Sequence, residues 1–228
     1  MSNRPVSVSK YQQRWKDDFQ QLKKMYADHL GDLVIEIHHV GSTSVVGLAA
    51  KPRIDIDIEI NRDDYEKVEI ALEELGYEYQ NLGIIDRHSF KYMGTAQLPA
   101  HNMYVCPSDS RELARHLTFR DYLRTHEDEM KRYSAIKLDA IAKGADHINE
   151  YMDYKGKVVG EILVKALNWK GIAPGYQDAG IERCEACESD KLTSSFGIRY
   201  QGGGDKREYI TINCGNCSHK WEYIFDEY

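Results

Sequence analysis

"HHVGSTSVVGLAAKPRIDIDIEI", residues 38–60, decides the fold. Its last seven residues alternate strictly between isoleucine and an acid. Side chains on a strand point to opposite faces in turn, so Ile54, Ile56, Ile58 and Ile60 share one face, which is expected to be buried. Asp55, Asp57 and Glu59 share the other. Carboxylates two residues apart lie roughly 7 Å from each other along a strand, and each raises its neighbour's pKa unless a cation intervenes. Such a strand is either a solvated sheet face or a cation site. The Gly41-Ser42 turn, which follows another predicted strand, "DLVIEIHHVG", favours the site. A turn entering a short helix offers backbone N–H groups and a hydroxyl to phosphate, and Asp-x-Asp offers hard oxygen ligands to a divalent cation.

Upstream, Trp15, Phe19, Leu22 and Tyr26 recur at near-helical spacing and predict a helix within residues 9–30. Downstream, "DDYEKVEIALEELG" predicts a second helix with an acidic first turn and Gly76 as its stop. "HSFKYMG" and "PAHNMYVCP" read as strands, and Ser108 to Trp169 as mostly helix, divided near Thr125 and Gly144. Residues 171–180, with three Gly and one Pro, read as a linker. The expected organisation is therefore a domain over 1–170, a linker over 171–180 and a small unit over 181–228. The 228 residues are long enough for such a core, and 42% hydrophobic with 29% charged residues marks a globular chain. A net charge of -7 argues against bulk attraction to nucleic acid or anionic membrane. No apolar run approaches a membrane span and the N-terminus has no apolar signal core, so a cytoplasmic protein is expected.

The Gly-Ser turn, spacer and Asp-hydrophobic-Asp resemble the signature of the polymerase-β-type nucleotidyltransferase superfamily. The resemblance sharpens to GrpB-like proteins (UPF0157): "HHVGSTSVVGLAAKPRIDI", "HNMYVCP", "HLTFRDYLRTH" and "YMDYKGK" are similar to that family's blocks, in the same order, over about residues 8–168. It implies an α+β fold, a nucleotidyltransferase-like mixed sheet flanked by helices. It also implies a magnesium-dependent transfer of a nucleoside monophosphate from a nucleoside triphosphate, with Asp55 and Asp57 on magnesium and Gly41 and Ser42 on phosphate. The alternative is a nucleotide-binding module without catalysis, because the neighbouring strand "AHNMYV" offers His101 and Asn102 where active members usually carry a third carboxylate. Lys51, Arg87 and Lys91 are candidates to meet the triphosphate. Arg120, on the inward side of its predicted helix, is expected to meet either the ligand or an internal carboxylate such as Asp121. Lys137 and Lys155 match basic positions of the family's helical blocks. One of His38 and His39 is expected to point inward as a hydrogen-bonded core residue.

Cys184, Cys187, Cys214 and Cys217 form two CxxC pairs 26 residues apart. Each pair can present two thiolates to one tetrahedral zinc, and in a segment of under fifty residues with few large apolar residues metal binding is expected to supply much of the folding energy. "CGNCSHKWEY" resembles the second knuckle of zinc ribbons like that of transcription elongation factor S, over roughly residues 181–225. The paired Asp-Glu that those factors carry at the hairpin tip is absent from "GGGDKRE", so their polymerase-rescue activity does not follow. Arg199, Lys206, Arg207 and Lys220 make nucleic acid one candidate partner for the ribbon, with protein the other.

Overall fold

The computed structural model describes residues 7–82, 86–144, 148–202 and 205–225; of these, the side chains of 148–150, 200–202, 205 and 206 are not described. Five helices and eight strands are seen among them: α1 (Arg14–Leu30), β1 (Val34–Val40), β2 (Ile54–Ile60), α2 (Tyr65–Glu74), β3 (Tyr77–Gln80), β4 (His88–Tyr92), β5 (His101–Pro107), α3 (Arg111–Thr125), α4 (Glu127–Ala142), α5 (Ile148–Lys170), β6 (Leu192–Gly202), β7 (Asp205–Cys214) and β8 (Lys220–Phe225). The acidic strand is β2. It lies inside a five-stranded mixed sheet of order β1-β2-β5-β4-β3, antiparallel to β1 and parallel to β5.

The alternation of β2 works as expected on its apolar side. Ile54, Ile56, Ile58 and Ile60 are all buried, and Trp15, Phe19, Leu22 and Tyr26 of α1 pack over them with Val68 and Leu72 of α2. Full burial of such side chains contributes about 2 kcal/mol each. The acidic side differs from an open sheet face. A second layer covers it, in which α3, α4 and α5 share a core of Tyr122, Leu123, Tyr133, Ile162 and Ala166 with Val45 and Leu48 of the loop after β1. This layer comes from sequence more than fifty residues downstream and leaves Asp57 with no exposed surface. No helix among the described residues is long and apolar enough to cross a membrane.

The small unit is a three-stranded antiparallel sheet, β6-β7-β8. Its core of Leu192, Phe196, Ile210 and Ile212 is shared with Leu167 of α5, and Leu163, Val164, Ala173, Tyr176 and Ala179 pack against it. The segment expected as a linker thus folds onto the ribbon. A second tie joins Arg115 of α3 to Glu208 of β7 in a largely buried ion pair, with Arg111 3.1 Å from the same carboxylate. The tip of the β6–β7 hairpin, residues 203 and 204, lies outside the described residues, as does the side chain of Lys206.

Candidate functional site

The site begins at Gly41. Its backbone, at φ 65°, lies in the left-handed region, where glycine meets no steric cost. A Cβ there would fall 2.2 Å from Asp55 Oδ2. The glycine is thus required twice, by its conformation and by the approach of the acidic strand. Ser42 opens a single 3-10 turn, Ser42–Ser44, held by the Ser44 hydroxyl donating to the Gly41 carbonyl (2.6 Å). Arg124 donates to the Ser44 carbonyl and Arg120 to the His39 carbonyl, so α3 clamps the backbone on both sides of the turn.

Asp55 and Asp57 stand in different surroundings. Asp55 is partly exposed and accepts a hydrogen bond from the Asn102 amide (2.7 Å). Burial pushes its carboxyl pKa up, while Asn102 and the charge of Arg87 pull the other way. Asp57 Oδ2 lies 2.7 Å from Nδ1 of His116, and its Oδ1 is buried without a hydrogen-bond partner. Arg87 Nη2 is 4.0 Å from that oxygen, with the guanidinium carbon 3.4 Å from the centroid of Tyr104. Glu59, one pair further along, is bound to His38 Nε2 (2.8 Å).

Three lysines converge on this acidic face from three elements. Lys137 of α4 is 1% exposed, donates to Ser42 Oγ and to the Ala49 carbonyl (3.1 Å), and lies 3.8 Å over the Tyr133 ring. Lys51, ahead of β2, and Lys155 of α5 flank the Tyr151 ring at 4.8 and 5.2 Å. Burial lowers the pKa of all three, to about 8 for Lys51 and well below the usual value for Lys137. The charge of Lys155 adds to the depression of the other two, and Asp55 is the carboxylate that opposes it in each case. Together with Arg87, four cations thus face Asp55 and Asp57.

The structure brings together Gly41, Ser42, Lys51, Asp55, Asp57 and Arg87 of the residues singled out in the sequence. Lys91 lies on the same sheet face by alternation with Ser89, which pairs with Tyr104, but it is exposed on β4 and opposite Glu78. Arg120 binds Asp121 (2.7 Å) and the His39 carbonyl. His39 is the inward histidine, stacked on Phe19, and burial together with Arg124 and Arg120 lowers its pKa to about 4. His101 points away from the acids, toward Tyr77 and the Pro99 carbonyl. Sequence reading missed His116 and Tyr104. The available signal for His116 was its place at the head of the block "HLTFRDYLRTH", one helical turn before Arg120.

Asp55 and Asp57 offer hard carboxylate oxygens, one of them, Asp57 Oδ1, buried without a hydrogen-bond partner, beside a group of cations; oxygen donors of this kind suit a divalent cation. Among the described residues the only cluster of three or more His, Cys, Asp or Glu donors close enough to share an ion is the cysteine quartet, whose sulfurs all lie within 4.8 Å of one another. The two knuckles repeat one backbone pattern. Glu188 N–H donates to the Cys184 carbonyl and Ser218 N–H to that of Cys214, while Cys184 and Cys214 N–H donate to the carbonyls of Ser189 and His219. Glu188 and Ser218 both take positive φ, 58° and 61°. Hydrogen bonds from the backbone lower the thiol pKa of Cys187 and Cys214, whereas the neighbouring thiols raise that of Cys217.

The GrpB protein family matches residues 5–165. The UPF0157 protein YqkA of Bacillus subtilis is 31% identical over 169 residues, 73% of this chain, and the chain spans 49% of that relative's length. The glutamate-rich protein GrpB of Alkalihalophilus pseudofirmus is 29% identical over 163 residues, 69% of this chain and 94% of that protein. A crystal structure of the conserved protein GrpB from Enterococcus faecalis superposes with a TM-score of 0.64 at 28% identity, covering 72% of this chain and 99% of that one. The Cid1 poly(U) polymerase superposes at a TM-score of only 0.44 and 12% identity, a likeness too slight to carry an argument. The matched region takes in the Gly-Ser turn, the acidic strand and all three converging lysines, and on that match the chain belongs to the GrpB family.

Proposed function

We propose that the site binds a nucleoside triphosphate with magnesium and transfers its nucleotidyl group to an acceptor. The observation that carries this reading is the convergence of Lys51, Lys137 and Lys155 on Ser42 and Asp55. Lys137 is buried, and the charges of Lys155 and Lys51 depress it further; a cation so placed is held at a cost, and a polyanion relieves it. Lys137 and the Ser42 hydroxyl take the phosphate chain with the backbone N–H groups of the turn, and Lys51 and Lys155 neutralise it. Asp55 and Asp57 hold magnesium, which when bound supplies charge neutralisation on phosphoryl oxygens. Catalysis on this reading is positioning and electrostatic stabilisation.

Binding without transfer is the second reading. It is favoured by β5, which sets Asn102 and Tyr104 on the acidic face where a third carboxylate would stand. Calorimetry of the full chain with each of the four nucleoside triphosphates and magnesium is expected to show binding of at least one, weakened more than tenfold by Asp55→Asn. Unchanged affinity in that variant would reject the acidic strand as part of the site. Release of pyrophosphate separates the two readings.

A pH dependence follows from Lys51, whose pKa of about 8 places its loss of charge just above neutrality. The protonated amine is the form that binds a polyanion. Affinity should therefore hold up to about pH 8 and then fall about tenfold per unit, with proton uptake on binding. Isothermal calorimetry in buffers of different ionisation enthalpy reads that uptake, and none at pH 8 would remove Lys51 from the phosphate contacts.

The cysteine quartet is read as a structural zinc site, closed by four thiolates. Reduced CxxC pairs fit a reducing compartment, so we place the protein in the cytoplasm. For the ribbon, packing against α5 and pairing of Glu208 with Arg115 support a bracing role. Docking to nucleic acid or protein would fall to its exposed Arg207 and Lys220.

A further inference from the structure

Asp57 is wholly buried, yet one of its oxygens serves a side chain that reaches solvent. His116 keeps 28% of its side-chain surface exposed, and its Nδ1 is committed to Asp57 Oδ2 at 2.7 Å. Among the described residues its Nε2 has no hydrogen-bond partner. A buried carboxylate on one imidazole nitrogen fixes the tautomer and steadies the imidazolium that forms when the other nitrogen takes a proton. The second oxygen of Asp57 stays clear of this bond, so orienting His116 does not compete with holding a cation.

The sheet itself offers no alternative proton acceptor on the far side of Asp57. There β5 presents Asn102, whose amide does not take a proton, and Tyr104, whose phenol burial keeps protonated. Across from Asp57 on β1, His38 is taken by Glu59.

We propose that His116 is the general base of the transfer and that the acceptor is therefore an alcohol, such as a sugar or side-chain hydroxyl, rather than a phosphate or carboxylate. An anionic acceptor has no proton to lose as it attacks and needs no base; a hydroxyl must lose its proton and does. In the step, the hydroxyl proton passes to Nε2 of His116 as the oxygen bonds to the α-phosphorus. The bond from that phosphorus to the bridging oxygen breaks, and pyrophosphate leaves with the electron pair. The inference rests on the nucleotidyl-transfer reading above.

The test uses the full chain with magnesium and thymidine 5′-monophosphate p-nitrophenyl ester, releasing nitrophenolate, with water or glycerol as acceptor. His116→Gln is expected to slow release about 10²-fold with ester affinity unchanged. In His116→Gly, added imidazole should restore much of the rate. An anionic acceptor, azide, should react with His116→Gln at close to the wild-type rate. Carbethoxylation of the wild type, mapped to His116 and reversed by hydroxylamine, reads the same loss without a substitution. Equal rates in wild type and His116→Gln overturn the base, and so does a wild type that binds nucleotide but releases nothing. Absence of nucleoside triphosphate binding in calorimetry instead overturns the reading of the site on which the base depends.

Discussion

Lys137→Met is expected to abolish polyphosphate binding and to raise the melting temperature of the empty protein. Lys137 is 1% exposed, its pKa is depressed by burial and then by Lys155, and only Asp55 opposes that depression. A group whose folded pKa lies below its unfolded value of 10.5 destabilises the fold as pH falls through that interval, because folding must exclude the proton or bury the charge. Methionine fills a similar volume without the charge. Removing the charge relieves the desolvation cost of burying it, offset in part by the Ala49 carbonyl left without its donor, for an expected net gain of about 1 kcal/mol, which for a chain of this size is about 2–4 °C. The same change removes the contact to Ser42 Oγ, so affinity for tripolyphosphate should drop at least 100-fold. Scanning calorimetry and titration calorimetry read the two effects. A lower melting temperature with affinity intact would make Lys137 a structural residue and remove it from the site.

Removing metal from the cysteine quartet should unfold the ribbon and spare the five-stranded sheet. Four thiolates around one structural zinc contribute about 10–16 kcal/mol of apparent binding energy in small zinc units. Among the described residues the ribbon's buried apolar side chains are Leu192, Phe196, Ile210 and Ile212, with Ile198, Trp221 and Phe225 partly buried around them, and this small core leans on Leu167. Elemental analysis is expected to give about one zinc per chain. After treatment with a chelator and reductant, amide exchange protection should disappear across β6, β7 and β8 and across the last turns of α5, where Leu163, Val164 and Leu167 lose their cover. Protection in α1, α2 and β1 to β5 should persist, since their core is separate. A ribbon that stays protected without metal would overturn the zinc reading, and a uniform loss throughout the chain would show that the two units fold as one.

Much of the architecture was legible because it depends on short-range patterns. The period of two in Ile54–Ile60 named both the strand and its buried face. Gly41 was readable as a special turn, and the helix divisions near Thr125 and Gly144 agree with α3, α4 and α5. The four cysteines announced their own cluster, since each CxxC pair is set by a local knuckle. β3 escaped notice: Tyr77–Gln80 has four residues, two of them Glu78 and Gln80, and no run of apolar alternation. That β5 neighbours β2 was expected only from the family resemblance, and the places of β4 and β3 beyond it were hidden, because strand order is not encoded in the local period of any one strand.

The membership of the site was the least legible part. Lys51, Lys91 and Lys137 are alike in the sequence. Lys91 ends exposed on β4, whereas Lys137, ninety-five residues from Ser42, reaches its hydroxyl. Likewise Asp55 and Asp57 read as equals on one strand face, yet α3 closes over Asp57 with His116 and leaves Asp55 to Asn102 and the lysines. The sequence by itself determined which strand carries the acids, which glycine lets it approach and which cysteines meet, since these follow from backbone period and steric limits within a few residues. Only the tertiary structure decided which cations face the acids and which acid is sealed, because burial and charge pairing are set by helices that arrive from far along the chain.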